Sequence, residues 1–275
     1  MEKLMASYYN EFDPFAASWL KELIKDGLIT DGEVDDRSIT EVLPSDLKGF
    51  KQCHFFAGIG GWSMALRLAD WPDDRPVWTG SPPCQPFSVA GNQKGNSDER
   101  HLWPVFFDLI KKQAPPTVFG EQVASSIKHR WFDDLQKDLE AENYASAMVV
   151  LPACCVGSPQ KRDRLWFSAQ RVANTLRQRQ SRQREVERPS SAASDKNRKV
   201  YRTFYGGGGF NFWGESKNVD CRDGKSRTIP TEPALFPLAD GVSNRVGTLR
   251  GAGNAIVPQV AAEVIKAFMV FEDEK

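Results

Sequence analysis

The stretch that decides the fold is residues 53–69, which read CHFFAGIGGWSMALRLA. Cys53 to Ala57 form an apolar strand candidate, and the glycines of Gly58-Ile59-Gly60-Gly61 then turn the chain. Four apolar residues follow at helical spacing: Trp62, Ala65, Leu66 and Ala69. A strand, a glycine turn and a helix in this order predict one unit of a sheet covered by helices.

Shorter apolar runs predict further strands at residues 77–79, 117–119, 147–151 and 165–167. Helical spacing separates them, notably over 127–139, where the apolar positions are Ile127, Trp131, Leu135 and Leu139. Strands that alternate with helices predict an α/β fold, with a mostly parallel sheet covered on both faces.

Two further helices are predicted at either side of these strands. Asp13 precedes Pro14, which places a capping acid before a proline at the first helical position. The predicted apolar face of this helix is Phe15, Trp19, Leu20, Leu23 and Ile24. A later amphipathic helix, expected to pack back on the sheet, carries Val260, Val264, Ala267, Phe268 and Phe271.

Charge is unevenly distributed, although the formal net charge is zero. Residues 171–205 carry ten Lys and Arg against three acids, whereas residues 1–50 carry eleven acids against five bases. Segment 174–200 is polar and lacks apolar periodicity, and Gly206 to Gly209 follow it. The basic excess suits a nucleic-acid surface, and a solvated, partly disordered loop is the alternative.

Composition argues against several classes of protein. The chain has no run of about 20 apolar residues and no signal-peptide pattern, so we expect a soluble intracellular protein without membrane contact. Its five cysteines include no C-x-x-C pair, and its three histidines show no metal-ligand spacing. We therefore expect neither a disulfide framework nor a metal site.

Cys84 lies in a loop stiffened by prolines, in the run SPPCQPFS of residues 81–88. The loop follows a strand predicted from Val77 to Gly80, and ligands bind at the carboxyl ends of strands in open α/β sheets. This position favours a nucleophile. A buried, inert cysteine is the alternative, since free cysteine is often core filling.

Charged residues accompany two further strand candidates. Glu121 follows the apolar run 117–119 and is either a general acid, if burial raises its pKa, or a helix-capping carboxylate. Gln160, Arg162 and Arg164 lead into the strand at 165–167, where alternate side chains point the same way. Two arginines on one side suit recognition of a phosphate and a base carbonyl, and charge that protects an edge strand is the alternative.

The glycine turn by itself is a weak signal. Ser63 stands where a dinucleotide-binding G-x-G-x-x-G turn needs its third glycine. A plain tight turn and a cofactor loop at a helix N-terminus are both compatible with the pattern.

Taken together, five ordered motifs resemble those of the DNA (cytosine-5) methyltransferase family. The matching segments are Phe56 to Gly61, Pro83-Cys84-Gln85, Glu121-Gln122-Val123, Gln160-x-Arg162-x-Arg164 and Gly253 to Pro258. The resemblance implies an α/β, Rossmann-like sheet of the S-adenosylmethionine-dependent methyltransferases in residues 1–167, to which 240–275 return. Residues 168–239 would be a small, irregular target recognition region.

One departure from the family pattern predicts a rearranged chain. Only about twenty residues separate the glycine motif from Pro83-Cys84, too few for the ribose-binding acid and the adenine-contacting segment that the family places there. Segments that resemble them come earlier, at 9–17 (YNEFDPFAA) and 35–39 (DDRSI). We predict a permuted order in which the second and third strands precede the first, with Glu11 on the ribose hydroxyls and the Asp36 region on the adenine.

The resemblance implies transfer of a methyl group from S-adenosylmethionine to carbon 5 of a flipped cytosine in double-stranded DNA. Cys84 is then the nucleophile, Glu121 the acid and Arg164 the contact to the O2 of the base, with Arg162 near phosphate. The implied cofactor residues are Glu11, Asp36, Phe56, Gly58, Ile59, Gly60 and Asn254, and the implied DNA contacts are Gln85, Ser88 and Gln160. We expect a cytoplasmic monomer in a prokaryotic or phage-infected cell.

A second departure is Gln122, where the family motif has Asn. The longer amide must reposition, and we expect activity to survive. A DNA-binding homologue with little or no turnover is the alternative. A cysteine hydrolase is a third interpretation, but it needs a histidine base, and His54, His101 and His129 lie in no recognisable nucleophile and base motif.

Overall fold

The structure, a computed structural model, describes residues 7–83, 102–129, 131–158, 160–172, 216–220, 226–230 and 253–273. The chain divides into two compact units, one of Met1–Val172 with Phe236–Lys275 and the other of Ala173–Leu235. In the second unit, two strands, Ser216–Asp220 and Ser226–Pro230, pair antiparallel. The basic segment 174–200 and the glycines 206–209 lie outside the described residues.

A seven-stranded sheet forms the centre of the first unit. Its strands are β1 (Ser7–Asn10), β2 (Gly32–Asp35), β3 (Gln52–Phe55), β4 (Val77–Gly80), β5 (Thr117–Val123), β6 (Tyr144–Pro152) and β7 (Asp163–Arg171). They lie in the order β2-β1-β3-β4-β5-β7-β6. The first five pair in parallel, and β7 is antiparallel to both of its neighbours. The prediction of a mostly parallel α/β sheet is confirmed.

The strand order carries the predicted permutation. When β3, the strand before the glycine turn, is counted first, β1 second and β2 third, the sheet reads 3-2-1-4-5 and then 7-6. The first five positions have the order of doubly wound nucleotide-binding sheets. The second and third strands of that order therefore precede the first along this chain.

Helices cover both faces of the sheet. They are α1 (Pro14–Lys25), α2 (Gly61–Leu68), α3 (Trp103–Gln113), α4 (Trp131–Ala141) and α5 (Pro258–Asp273). Neighbouring strand residues point to opposite faces, so Trp78 packs with α3 and α4 while Val77 packs with α2 and α5. No helix among the described residues combines the length and the apolar character needed to cross a lipid bilayer.

Helix α1 begins as predicted, and its buried face matches the predicted one only in part. The Asp13 carboxylate accepts hydrogen bonds from the backbone N–H groups of Phe15 and Ala16 and so caps the helix. Of the predicted face, Leu20 is buried and Leu23 and Ile24 pack against the core, whereas Trp19 is 40% exposed. The other buried residues are Ala16 and Ala17. Small alanines let the helix lie close to the sheet, and the large aromatic residues of the adjacent stripe turn outward.

Three other predicted details were wrong. Helix α5 buries Val260, Ala261, Ala262 and Ile265 against α2, which leaves the predicted face residues Ala267 and Phe271 exposed. Helix α4 begins at Trp131, and Ile127 lies in the preceding 3-10 segment, Ala124–His129. Pairing with β7 extends β5 to Val123, so Glu121 lies inside a strand and not after it.

Two strand glycines make room for the aromatic core. A Cβ atom on Gly80 would lie 2.5 Å from the ring of Phe106, and one on Gly120 would lie 2.1 Å from the ring of Phe167. Any side chain at these positions would displace an aromatic residue. The glycines therefore allow the phenylalanines to pack directly on the central strands.

Candidate active site

Two loops meet where β1 and β3 end, at a place that we call the glycine corner (Glu11 and the turn Phe56 to Gly60). Glu11 Oε2 accepts a hydrogen bond from Gly58 N at 2.7 Å, and its Oε1 accepts one from Asp13 N at 2.8 Å. Ala57 N also donates to Asn10 O at 3.0 Å. The acid and the glycine turn, 47 residues apart in sequence, are thus in direct contact.

The turn of the glycine corner uses left-handed backbone angles. The angle φ is +52° at Phe56, +56° at Gly58 and +82° at Gly60. Such angles are strained for a residue with a side chain, so Phe56 stores strain at this place. The ring of Phe56 meets that of Phe106 edge-on, and Ile59 is partly exposed.

Two neighbouring acids beside Glu11 have different surroundings. The carboxylate of Asp35 is 8% exposed and accepts hydrogen bonds from the Tyr8 hydroxyl at 2.6 Å and from the Arg37 guanidinium. Asp36 is 66% exposed and lies 3.9 Å from Lys21. Because Asp35 pairs with Asn10 in the sheet, Asp36 lies at the same edge as Glu11. Asp35 is engaged within the fold, and Asp36 remains accessible from outside.

The segment before α5 lies against the glycine turn. Ile256 is buried, and a Cβ atom on Gly61 would lie 2.7 Å from Ile256 Cγ1. The exposed Asn254 is two residues away. The structure therefore brings the last predicted motif next to the first.

A second set of charged residues forms what we call the acid corner. It consists of Glu121 on β5, Arg162 directly before β7, and Arg164 on β7. Glu121 Oε1 lies 2.7 Å from Arg164 Nε, and Glu121 is 9% exposed. Because Arg164 pairs with Val123, its side chain is a diagonal neighbour of Glu121 on one face of the sheet. Burial raises the pKa of Glu121 to about 7, against the opposing charges of Arg164 and Arg162. This carboxyl group can carry or release a proton near neutral pH.

Arg162 reaches the acid corner by a different route from the one predicted. Strand β7 begins at Asp163, and Arg162 has φ of +38°, so strand alternation does not orient it. Its Nη2 donates to Ala255 O at 2.7 Å and to Gly253 O at 3.1 Å. Gln160 also precedes the strand, and its side chain is exposed.

Two side chains hold the start of the loop that leads to Cys84. Gln122 Nε2 donates to Pro82 O at 3.0 Å, and Gln122 Oε1 accepts from Val123 N at 2.9 Å. From the other side, Trp62 Nε1 donates to Ser81 Oγ at 3.0 Å. The predicted site residues Cys84, Gln85 and Ser88 lie outside the described residues.

Sequence reasoning missed the roles of Trp62 and Ser63. The sequence places Trp62 on the apolar face of α2, but the structure also gives it a polar partner, Ser81. A buried indole N–H usually needs a hydrogen-bond acceptor, and that requirement was the signal for this contact. Ser63, at the position of the missing third glycine, contacts the Tyr9 hydroxyl at 3.0 Å and accepts from Thr30 N at 3.2 Å. It joins α2 to β1 and to the start of β2.

A sequence model described as "C-5 cytosine-specific DNA methylase" matches residues 69–206, half of the 275-residue chain. The chain is 37% identical to type II methyltransferase M.AplI of Arthrospira platensis over 38% of its own length and 30% of that protein. It is 26% identical to type II methyltransferase M.HhaI of Haemophilus parahaemolyticus, over 46% of its length and 51% of that protein. It therefore spans about half or less of the length of these relatives.

Among solved structures, the chain is similar to a triple mutant of DNMT2 from Spodoptera frugiperda. The sequence identity is 18% and the TM-score 0.42, over 61% of this chain and 43% of that one.

Proposed function

Because the chain belongs to the C-5 cytosine-specific DNA methylase family, we propose that it transfers a methyl group from S-adenosylmethionine to carbon 5 of cytosine in DNA. The observation that carries the proposal is Glu121. This carboxyl group is buried, has a pKa of about 7, and lies on the strand next to the one that leads to Pro82 and Cys84. Proton transfer to a base at neutral pH needs an acid with these properties.

The glycine corner has the chemistry to bind S-adenosylmethionine. Each oxygen of the Glu11 carboxylate accepts one backbone N–H and keeps a second lone pair, which can accept from ribose hydroxyls. No side chain occupies the space next to Gly58, so a ligand could approach the backbone there. Asp36 and Asn254, both exposed, would contribute polar groups. The partly exposed Phe56 and Ile59 would form the surface beneath, and the buried Gly60 would shape the turn behind it. When bound, the cofactor supplies the methyl group.

The residues of the chain would perform the remaining steps on a cytosine flipped out of the duplex. The Cys84 thiolate forms a bond to carbon 6 while Glu121 gives its proton to N3, which makes carbon 5 nucleophilic. After methylation, water takes the carbon 5 proton, the double bond re-forms as the Cys84 thiolate leaves, and N3 returns its proton to Glu121. Arg164, held by Glu121 at 2.7 Å, would donate to the O2 of the base.

Double-stranded DNA is the proposed substrate. Gln85, Ser88 and Gln160 would contact it near the nucleophile loop, and residues 168–239 would act as the target recognition region. The ten Lys and Arg of 171–205 support this assignment, since phosphate neutralisation supplies most non-specific affinity.

DNA that contains 5-fluorocytosine tests the proposal. Fluorine cannot leave as the proton does, so the Cys84 adduct should persist after methylation. We expect a denaturation-resistant protein–DNA adduct that requires S-adenosylmethionine and is absent in Cys84→Ser. Equal trapping by Cys84→Ser would refute the role of Cys84, and cofactor binding without adduct or methylation on mixed-sequence DNA would favour a homologue without turnover.

A further inference from the structure

We propose that Arg162 is a positioning residue, which holds the segment Gly253–Ala255 at the cofactor site, and not a contact to DNA phosphate. The inference rests on the proposed function for the identity of the cofactor. It reassigns a residue that motif position alone would place near the DNA.

The contacts of the guanidinium carry the proposal. A single nitrogen, Arg162 Nη2, donates to the carbonyl oxygens of Ala255 at 2.7 Å and Gly253 at 3.1 Å. These carbonyls flank Asn254, which is exposed and is one of the residues proposed above to bind the cofactor. Hydrogen bonds from a charged donor are about twice as strong as neutral ones. The pair of bonds therefore fixes the backbone on both sides of Asn254.

The backbone of Arg162 is itself fixed. Ala153 N donates to Lys161 O at 2.7 Å and to Arg162 O at 3.3 Å, which ties this turn to the end of β6. Arg162 has φ of +38°, an unfavourable angle for a residue with a side chain. Unfavourable angles persist where surrounding contacts hold them, and they cluster at functional sites. The two carbonyl bonds are the contacts that this conformation makes possible.

The segment is held from its other side by the glycine turn. Ile256 packs directly on Gly61, the first residue of α2, where a Cβ atom would lie 2.7 Å from Ile256 Cγ1. Arg162 and Gly61 thus contact the short segment Gly253–Ile256 from two sides. Without the guanidinium, the segment would keep the apolar contact at Ile256 but lose its hydrogen bonds to Arg162. Asn254 would then lose its fixed position.

Three variants test the inference: Arg162→Gln, Arg162→Lys, which keeps the charge and can reach one carbonyl, and the matched control Lys161→Gln. Lys161 is the adjacent base, is 78% exposed and pairs with Asp163 at 2.8 Å, so its loss removes the same charge without touching the segment. Amide hydrogen exchange at residues 254–260 is measured on the protein without cofactor or DNA. The Kd for S-adenosylmethionine, the kcat, and the salt dependence of DNA binding are measured in parallel.

We expect Arg162→Gln to speed exchange in the segment and to raise the Kd for S-adenosylmethionine, each about tenfold, with kcat at saturating cofactor changed less than about threefold. Arg162→Lys should recover part of both effects, and Lys161→Gln should match the wild type. DNA affinity and its salt slope should be unchanged in Arg162→Gln.

Unchanged exchange and cofactor affinity, with weaker DNA binding and a salt slope reduced by about one, would instead identify a phosphate contact and overturn the proposal. Faster exchange with unaltered cofactor affinity would reduce Arg162 to a structural residue and would also overturn it. If the wild-type protein does not methylate DNA, the proposed function is refuted. Hydrogen exchange still tests whether Arg162 holds the segment Gly253–Ala255, because it is measured without cofactor or DNA.

Discussion

The glycine corner and the acid corner are built by different kinds of contact. At the glycine corner a carboxylate, Glu11, accepts from backbone N–H groups, and the strands around it run parallel. At the acid corner two side chains, Glu121 and Arg164, pair across antiparallel strands. The first contact follows from two strands that are neighbours in the sheet, so it tolerates a changed order of those strands along the chain. The second depends on register, because a slip by one residue would move Arg164 to the opposite face.

The largest effect should follow from breaking the acid corner while leaving the glycine corner intact. Glu121→Gln keeps the shape of the side chain but removes the proton donor, so we expect kcat to fall roughly 100- to 10,000-fold. The Kd for S-adenosylmethionine should stay within about twofold of the wild type, by calorimetry. A variant that keeps its kcat would show that Glu121 is not the acid.

The reverse break is Glu11→Gln. An amide offers only one oxygen to the two backbone donors, Gly58 N and Asp13 N, so one N–H would face an NH₂ group. We expect cofactor Kd to rise roughly 10- to 100-fold, with a smaller change in kcat at saturating cofactor. Glu33→Gln, an exposed carboxylate on the neighbouring strand, is the control and should bind as the wild type does. Equal binding by Glu11→Gln would separate Glu11 from the cofactor.

Replacing one glycine near each corner by alanine should lower the stability of the protein by different amounts. Gly120→Ala would place a Cβ atom 2.1 Å from the Phe167 ring and 2.8 Å from Gly80 O, and such overpacking costs about 2 to 3 kcal/mol. Gly58→Ala meets no atom within 4 Å and should cost only about 1 kcal/mol, for its φ of +56°. Urea unfolding at one pH measures both, and a larger loss for Gly58→Ala would reverse the comparison.

The acid corner should also make the activity and the stability of the protein depend on pH, through Glu121. Because burial raises the pKa of Glu121 to about 7, raising the pH from 7 to 8 should lower kcat/KM about fivefold as the acid loses its proton. The folded protein holds this proton more tightly than the unfolded chain, whose pKa is 4.5. The contribution of Glu121 to the free energy of unfolding therefore falls as pH rises from 4.5 to 7, and Glu121→Gln should abolish that slope. A pH-independent kcat/KM between 7 and 8 would contradict the assignment.

The smallest effect should come from Gln122→Asn, which restores the residue of the family motif. The shorter amide would lose Pro82 O, now at 3.0 Å, and loosen the start of the nucleophile loop. We expect kcat to fall about threefold, with cofactor binding unchanged. Gln136→Asn, the same change on α4, serves as the control. A faster Gln122→Asn enzyme would mean that the longer amide hinders the reaction.

Periodicity and motif order predicted the seven strands of the large sheet, four of the five helices and the permuted order, because these follow from local pattern and from strand adjacency. Contact between Glu11 and Gly58 was predictable for the same reason. On α1, Leu20, Leu23 and Ile24 pack inward as predicted, but the close approach of Ala16 and Ala17 was not predictable, since it depends on the sheet beneath. Nor was the direction of Arg162, because a residue with φ of +38° departs from strand alternation. Both errors arise where tertiary contacts override a local rule.

The distance along the chain between α2 and α5 has a consequence for synthesis. Strands β1 to β4 and helix α2 come from residues 7–80, so four of the five parallel strands and α2 are synthesised together, well before α5. Helix α5, which covers the apolar face of α2, begins about 180 residues later. At ordinary translation rates the interval is roughly 10 to 35 s. During that time Trp62, Leu66 and their neighbours on the emerging chain lack this cover.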